Sequence, residues 1–173
     1  SETGRPSIPP ERLLKAKLSI SLNVLLDNRH GLVLDACLET ADGYAERQCA
    51  LRLLERQREQ QGIAPRTLGA DKAYHTQDFI NELRSRKTSP HVAQRTDRKA
   101  RGLDLRTTRH ASYALSQKKR KLVEQPFGWA KAFGGLRKTR FIGIARSELL
   151  AQCTLAAFNL IRIAHLTGTA CSP

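Results

Sequence analysis

Apolar residues fall in short blocks through the first half of this chain and at helical spacing in the second. Two blocks rich in apolar and β-branched residues, 18–26 and 31–40, flank Asp27-Asn28-Arg29-His30-Gly31. Turn-forming residues between two such blocks predict a β-hairpin. Over 45–60, Ala50, Leu51, Leu53 and Leu54 form a stripe and charges fill the other positions, which predicts an amphipathic helix. Gly62-Ile63-Ala64-Pro65 ends it. Residues 66–70 read as a short buried strand ending at Asp71, 76–86 as a helix with Phe79, Ile80 and Leu83 inward, and Ser89–Val92 as another short strand. Residues 97–114 hold many charges and few large apolar side chains, and predict a mobile basic loop. A long helix is predicted over 116–133, bent at Pro126 and ended by Gly134-Gly135. The last predicted helix, 147–166, carries Leu149, Leu150, Cys153, Leu155, Leu160, Ile161 and Ile163. The polar, proline-rich residues 1–11 read as an irregular arm leading into a short helix over 11–17, and residues after Thr167 as a disordered tail.

The order of hairpin, helix, strand, helix, strand, loop, helix, helix is an α/β pattern, part of a mixed sheet flanked by helices. A chain of 173 residues suits one domain with a substantial core. No uninterrupted apolar run reaches the ~18 residues of a membrane span, because Gln152, Asn159, Arg162 and His165 interrupt the C-terminal stretch. No membrane partner is therefore expected. The four cysteines, Cys37, Cys49, Cys153 and Cys171, have neither CxxC nor zinc-ligand spacing and read as free thiols of a reducing cytoplasm.

Charge changes this picture most. The chain carries a net +14, and residues 84–140 alone hold 17 of its 30 Lys and Arg against three of its 16 acids, Asp97, Asp104 and Glu124. The rest of the chain is neutral. Basicity concentrated in one segment points to a polyanion such as nucleic acid, against the plainer reading of a solvated basic surface.

Candidate chemistry lies in two places. Asp71 follows a short strand, where ligands bind in open α/β sheets. Glu124 stands among bases, with Arg120 four residues before it and Lys131 seven after, on one face of a helix of about 3.6 residues per turn. Two acids from distant segments can converge on Mg²⁺. The plainer readings are a helix cap for Asp71 and a surface pair with Arg120 for Glu124. Trp129 is either a base-stacking platform or, as is commoner for a lone helical Trp, a core residue.

Several motifs together carry a family resemblance: Gly69-Ala70-Asp71-Lys72-Ala73-Tyr74, residues 120–131, Gly134-Gly135-Leu136-Arg137-Lys138-Thr139-Arg140, Asn28-Arg29-His30-Gly31-Leu32-Val33, Pro90-His91-Val92-Ala93-Gln94 and Ala157-Phe158-Asn159-Leu160-Ile161-Arg162. In this order they closely resemble the DDE transposases of IS5-type bacterial insertion sequences, over residues 17–166. The resemblance implies a ribonuclease H-like fold and metal-dependent cleavage and strand transfer of DNA, using Mg²⁺ or Mn²⁺, in the bacterial cytoplasm beside the nucleoid. It also implies DNA ends and target DNA as partners, with possible homo-oligomers. It makes Asp71 the second catalytic acid and Glu124 the third, both metal ligands. Arg120 and Lys131, with Lys118, Lys119, Lys121, Arg137, Lys138 and Arg140, become DNA contacts. The signature has Tyr where this chain has Gln117.

The first catalytic Asp of the family, on its first strand, has no counterpart. Residues 1–16 resemble the family's N-terminal segment, and from Lys17 the chain resembles the middle of the catalytic domain. Asp27 and Asp35 are the remaining early acids, and neither sits in the matching motif. The expectation is an incomplete ribonuclease H-like domain over 17–166, catalytically impaired, with a sheet edge left uncovered. A DNA-binding remnant that modulates an intact transposase is the alternative. A relic that does not fold stably is the third reading.

Overall fold

The computed structural model describes residues 20–40, 45–95, 102–138 and 141–168. The arm and helix expected over 1–17, and the tail beyond 168, lie outside the described residues. The hairpin forms as expected: β1 (Ile20–Leu26) pairs antiparallel with β2 (Val33–Thr40), with a bulge between Leu25 and Leu26. Asp27 shapes the turn by accepting from the Arg29 and His30 amides at 3.1 and 2.9 Å and from the His30 ring at 2.9 Å. Gly31 closes the turn at φ +73°, a conformation that Cβ-bearing residues rarely adopt.

Helix α1 (Ala45–Gln61) packs on the hairpin through Cys49, Leu51, Leu53, Leu54 and Gln57. Strand β3 (Thr67–Ala70) leads through a 3-10 turn, Lys72–Tyr74, to α2 (Gln77–Ser85), and β4 (Ser89–Val92) returns parallel to β3. This strand–helix–strand crossover satisfies the rule that parallel strands need a long connection. Thr76 caps α2 by accepting from the Phe79 amide. Phe79 and Leu83 join Leu51, Leu54 and Val92 in the main core.

The expected basic loop is corrected for its second half. Residues 105–109 form α3 (Leu105–Arg109) and residues 111–119 form α4 (Ala111–Lys119), which begins five residues before the expected start. Both starts are capped by side chains: Asp104 Oδ1 accepts from the Thr107 amide at 2.9 Å, and His110 Nδ1 from the Ser112 amide at 3.3 Å. Residues 97–101 of that loop lie outside the described residues.

The helical run continues from α4 through a 3-10 turn, Arg120–Val123, into α5 (Glu124–Ala132). The irregularity thus falls at 120–123 and not as a bend at Pro126, which sits in the first turn of α5, where a missing N–H costs least. Gly134 then passes so close to α6 (Ile144–Leu166) that a Cβ there would collide with Thr154 Cγ2.

Helix α6 starts three residues earlier than expected and packs against α5 and β2. By length and composition it could cross a membrane, and only 22% of its most apolar window is buried. Its polar residues nevertheless hold it to the fold. Asn159 accepts from the Val33 amide at 2.8 Å and donates to the Val33 carbonyl at 2.7 Å, and Arg162 donates to the His30 carbonyl at 2.8 Å.

The architecture is α/β, but its sheet is divided: β1–β2 and β3–β4 are separate two-stranded sheets. The cysteine reading also changes. Cys37 of β2 and Cys49 of α1 form a disulfide, Cys153 is a free exposed thiol, and Cys171 lies outside the described residues.

Candidate active site

Asp71 leaves the carboxyl end of β3 and caps the following 3-10 turn, its Oδ1 accepting from the Lys72 amide at 2.6 Å. Arg120 faces the same oxygen, with Nη1 3.5 Å from Oδ1. Arg120 is itself held by Gln117, whose Oε1 accepts from Arg120 Nε at 2.9 Å while its Nε2 donates to the His91 carbonyl at 2.6 Å. A chain of contacts therefore runs from the backbone of β4 through Gln117 and Arg120 to Asp71. Residue spacing on the helix places Glu124 one turn beyond Arg120, exposed at the start of α5.

Helix α4 is seated by three further contacts that sequence reasoning did not identify. Buried His91 meets the Ser116 hydroxyl at 2.7 Å. Burial, aided by the charge of His110, holds the His91 imidazole below its usual range, so it is neutral at pH 7. The Tyr113 hydroxyl donates to the Val92 carbonyl at 2.9 Å, and its ring lies edge-on to His91. The only sequence signal was His91 in a motif of the resemblance.

Lys118, Lys121, Lys131, Arg137 and Lys138 are exposed, Lys119 is half-buried, and Arg140 lies outside the described residues. Trp129 is half-buried, its ring centroid 6.1 Å from that of the exposed Phe133 and 6.0 Å from that of the buried Phe158. Asp35 is committed to Arg56, which reaches it through Nε at 2.6 Å and through Nη2. Asp27 is committed to its turn. Burial pushes its carboxyl upward, but the His30 and Arg29 amides and the His30 ring outweigh this and hold it below the usual range.

Whether these residues fit a divalent metal turns on the donor set. Among the described residues the one cluster of three potential ligands is Cys37, Glu39 and Cys49, far from this chemistry in type. Its thiols are joined in a disulfide and Glu39 pairs with Arg52. Neither Asp71 nor Glu124 belongs to a group of three potential ligands among the described residues, and Asp71 already faces a cation. The donors present thus fall short of a two-ion site.

A strand-end acid beneath a helix dense in cations defines an α/β protein suited to a polyanionic substrate. The sequence matches the transposase DDE domain family over residues 15–160, and the chain belongs to that family. DNA is thus its substrate class, and the family's work is the DNA cleavage of transposition. No curated protein and no solved structure matches the chain.

Proposed function

We propose that this chain is an internally shortened, IS5-type DDE transposase that binds DNA but does not cleave it unaided. The apposition of Asp71 to Arg120, one helical turn before Glu124, carries this reading. Asp71 and Glu124 are the second and third acids of the catalytic set, and the segment bearing the first is missing near Lys17. Mg²⁺ would be the family's ion, and two carboxylates hold one such ion weakly. The exposed cations Lys118, Lys121, Lys131, Arg137 and Lys138 follow the phosphate backbone, with Lys119 and Arg120 nearer the site.

The test is purified chain with Mg²⁺ and DNA bearing terminal inverted repeats. DNA binding that weakens steeply with salt, without strand cleavage, is the expected result. Cleavage that disappears in Asp71→Ala would overturn the claim of lost activity. A second reading, a non-enzymatic modulator of an intact transposase, is favoured by the exposed cations and the incomplete donor set. It predicts that the chain lowers cleavage by a complete enzyme in proportion to the DNA ends it occupies.

A further inference from the structure

A cleft of about 490 Å³ opens at the amino ends of β3 and β4. Thr67 and Ser89, the first residues of these two parallel strands, line it, whereas Asp71 follows the opposite end of β3. The cleft and the candidate active site therefore lie at opposite ends of the same sheet. Its lining is polar apart from Pro90. It consists of the cations Arg84, Lys87 and Arg106, the acid Asp104, the imidazoles of His91 and His110, and five hydroxyl side chains. Neither Arg120 nor any lysine of α4 and α5 lines it.

Three cations thus face one acid. Arg84 pairs with Asp104 at 3.2 Å, and Asp104 also accepts from the Thr107 amide and hydroxyl. Lys87 and Arg106 are exposed and form no ion pair among the described residues. Lys87 carries an independent sign of use. It is the one non-glycine residue at positive φ among the described residues, at 59°. It follows the Arg86 cap of α2, where its amide donates to the Arg84 carbonyl and the Thr88 amide to the Leu83 carbonyl, both at 2.9 Å. Glycine usually fills this left-handed position, because a Cβ is strained there. Lysine keeps the strain and adds an unpaired cation to the cleft.

We propose that this cleft holds phosphates of a nucleic-acid backbone, apart from the Asp71 site and without reading bases. Arg84 and Arg106 supply planar forks suited to phosphate oxygens, Lys87 supplies a point charge, and the hydroxyls supply neutral donors. No Phe, Tyr or Trp lines the cleft. Of its two imidazoles, His91 is buried against Ser116 and His110 caps α4, so no platform for stacking a base is offered. Asp104 limits the affinity, because its carboxylate holds Arg84 and repels an incoming anion. The phosphate chemistry stands on the cleft alone. Its assignment to a nucleic-acid backbone rests on the reading of the chain as DNA-binding.

Pyrophosphate added to the full chain without DNA tests the cleft by itself. The amide resonances of Lys87, Ser89 and Thr107 should shift saturably, and those of Lys121 and Lys131 should not. Lys87→Gly should weaken pyrophosphate roughly tenfold, as loss of one charged hydrogen bond does. The same change should keep or raise the melting temperature, since glycine suits that backbone conformation. Asp104→Asn keeps a capping oxygen and frees Arg84, and should tighten pyrophosphate several-fold. A duplex of about 16 base pairs and arbitrary sequence then tests the source of the phosphate. Lys87→Gly with Arg106→Gln should lower the slope of log binding constant against log salt by about 1.8, from two phosphates at about 0.9 each. Equal shifts across all exposed lysines, or Asp104→Asn that leaves pyrophosphate binding unchanged, would overturn the proposal. So would a duplex slope that is the same in the double variant and the unmodified chain, the mark of a site for small phosphate compounds. A duplex bound by neither chain, with pyrophosphate still in the cleft, would sink the DNA-binding reading and the backbone source with it.

Discussion

Asn159→Ala tests how α6 is fastened to the sheet. The Asn159 amide makes both bonds that a neighbouring strand residue would make to Val33, at 2.8 Å to its N–H and 2.7 Å from its carbonyl. Alanine leaves the helix backbone undisturbed and gains slightly in helix propensity. It strands two partly buried backbone groups of β2. Each unmade bond of this kind costs about 1–3 kcal/mol, and water reaching a partly buried site repays some of it. A net loss of about 2–3 kcal/mol follows, against a stability of roughly 5–15 kcal/mol for a domain of ordinary size. Urea unfolding read through Trp129, the chain's single Trp, measures it, since that ring packs on Phe158 beside Asn159. Asn159→Asp at pH 7 keeps the acceptor for the Val33 amide but sets a carboxylate against the Val33 carbonyl, and should recover none of the loss. A change below about 0.5 kcal/mol for Asn159→Ala, the size of an ordinary surface substitution, would refute the claim that this amide substitutes for a strand.

His91, held below its ordinary pKa of 6.5 mainly by burial, gives stability that is full above pH 6.5 and is lost as pH falls toward its depressed folded value. His91→Gln should flatten that acid slope in thermal melts recorded from pH 7 to 5. Reducing the Cys37–Cys49 disulfide, whose partners lie 12 residues apart, should lower stability by about 2–3 kcal/mol, measured by urea unfolding with and without dithiothreitol. Arg120→Ala should reduce the slope of log binding constant against log salt by about 0.9, as follows when one fewer phosphate is neutralised. Gln117→Leu should weaken DNA binding with the salt slope unchanged, because the Arg120 charge persists while its bond to Gln117 Oε1 is gone.

The hairpin, α1, α2 and β4 were legible in the sequence because their apolar spacing and turn chemistry agree. Asp27 to Gly31 could hardly be anything but a turn, and Phe79, Ile80 and Leu83 share one face of any helix they form. Helix α3 and the first half of α4 were misread because composition dominated. Their few apolar residues, such as Leu105 and Leu115, are exposed, and their starts depend on Asp104 and His110 caps. Asp104 three residues before Thr107 was the available signal. The disulfide was not legible, since it joins β2 to α1 only after both have packed. Asp71 and Arg120 were each visible as candidates, but the part of Gln117 was not. It depends on the His91 carbonyl, 26 residues away.

The division of the sheet follows from how each edge is treated. Ser89 and Ala93 donate their amides to Arg66 and Ala70 of the β3 segment, so the alternate residues Pro90 and Val92 turn their backbone away. At that outer side Pro90 has no N–H to satisfy, and the Val92 carbonyl is taken by Tyr113. On the outer side of β2, Asn159 takes both backbone groups of Val33. Side chains thus close the outer flanks, as edge strands require. Among the described residues β1 and β3 have no second strand partner, and Asn23 Nδ2 of β1 has no hydrogen-bond partner.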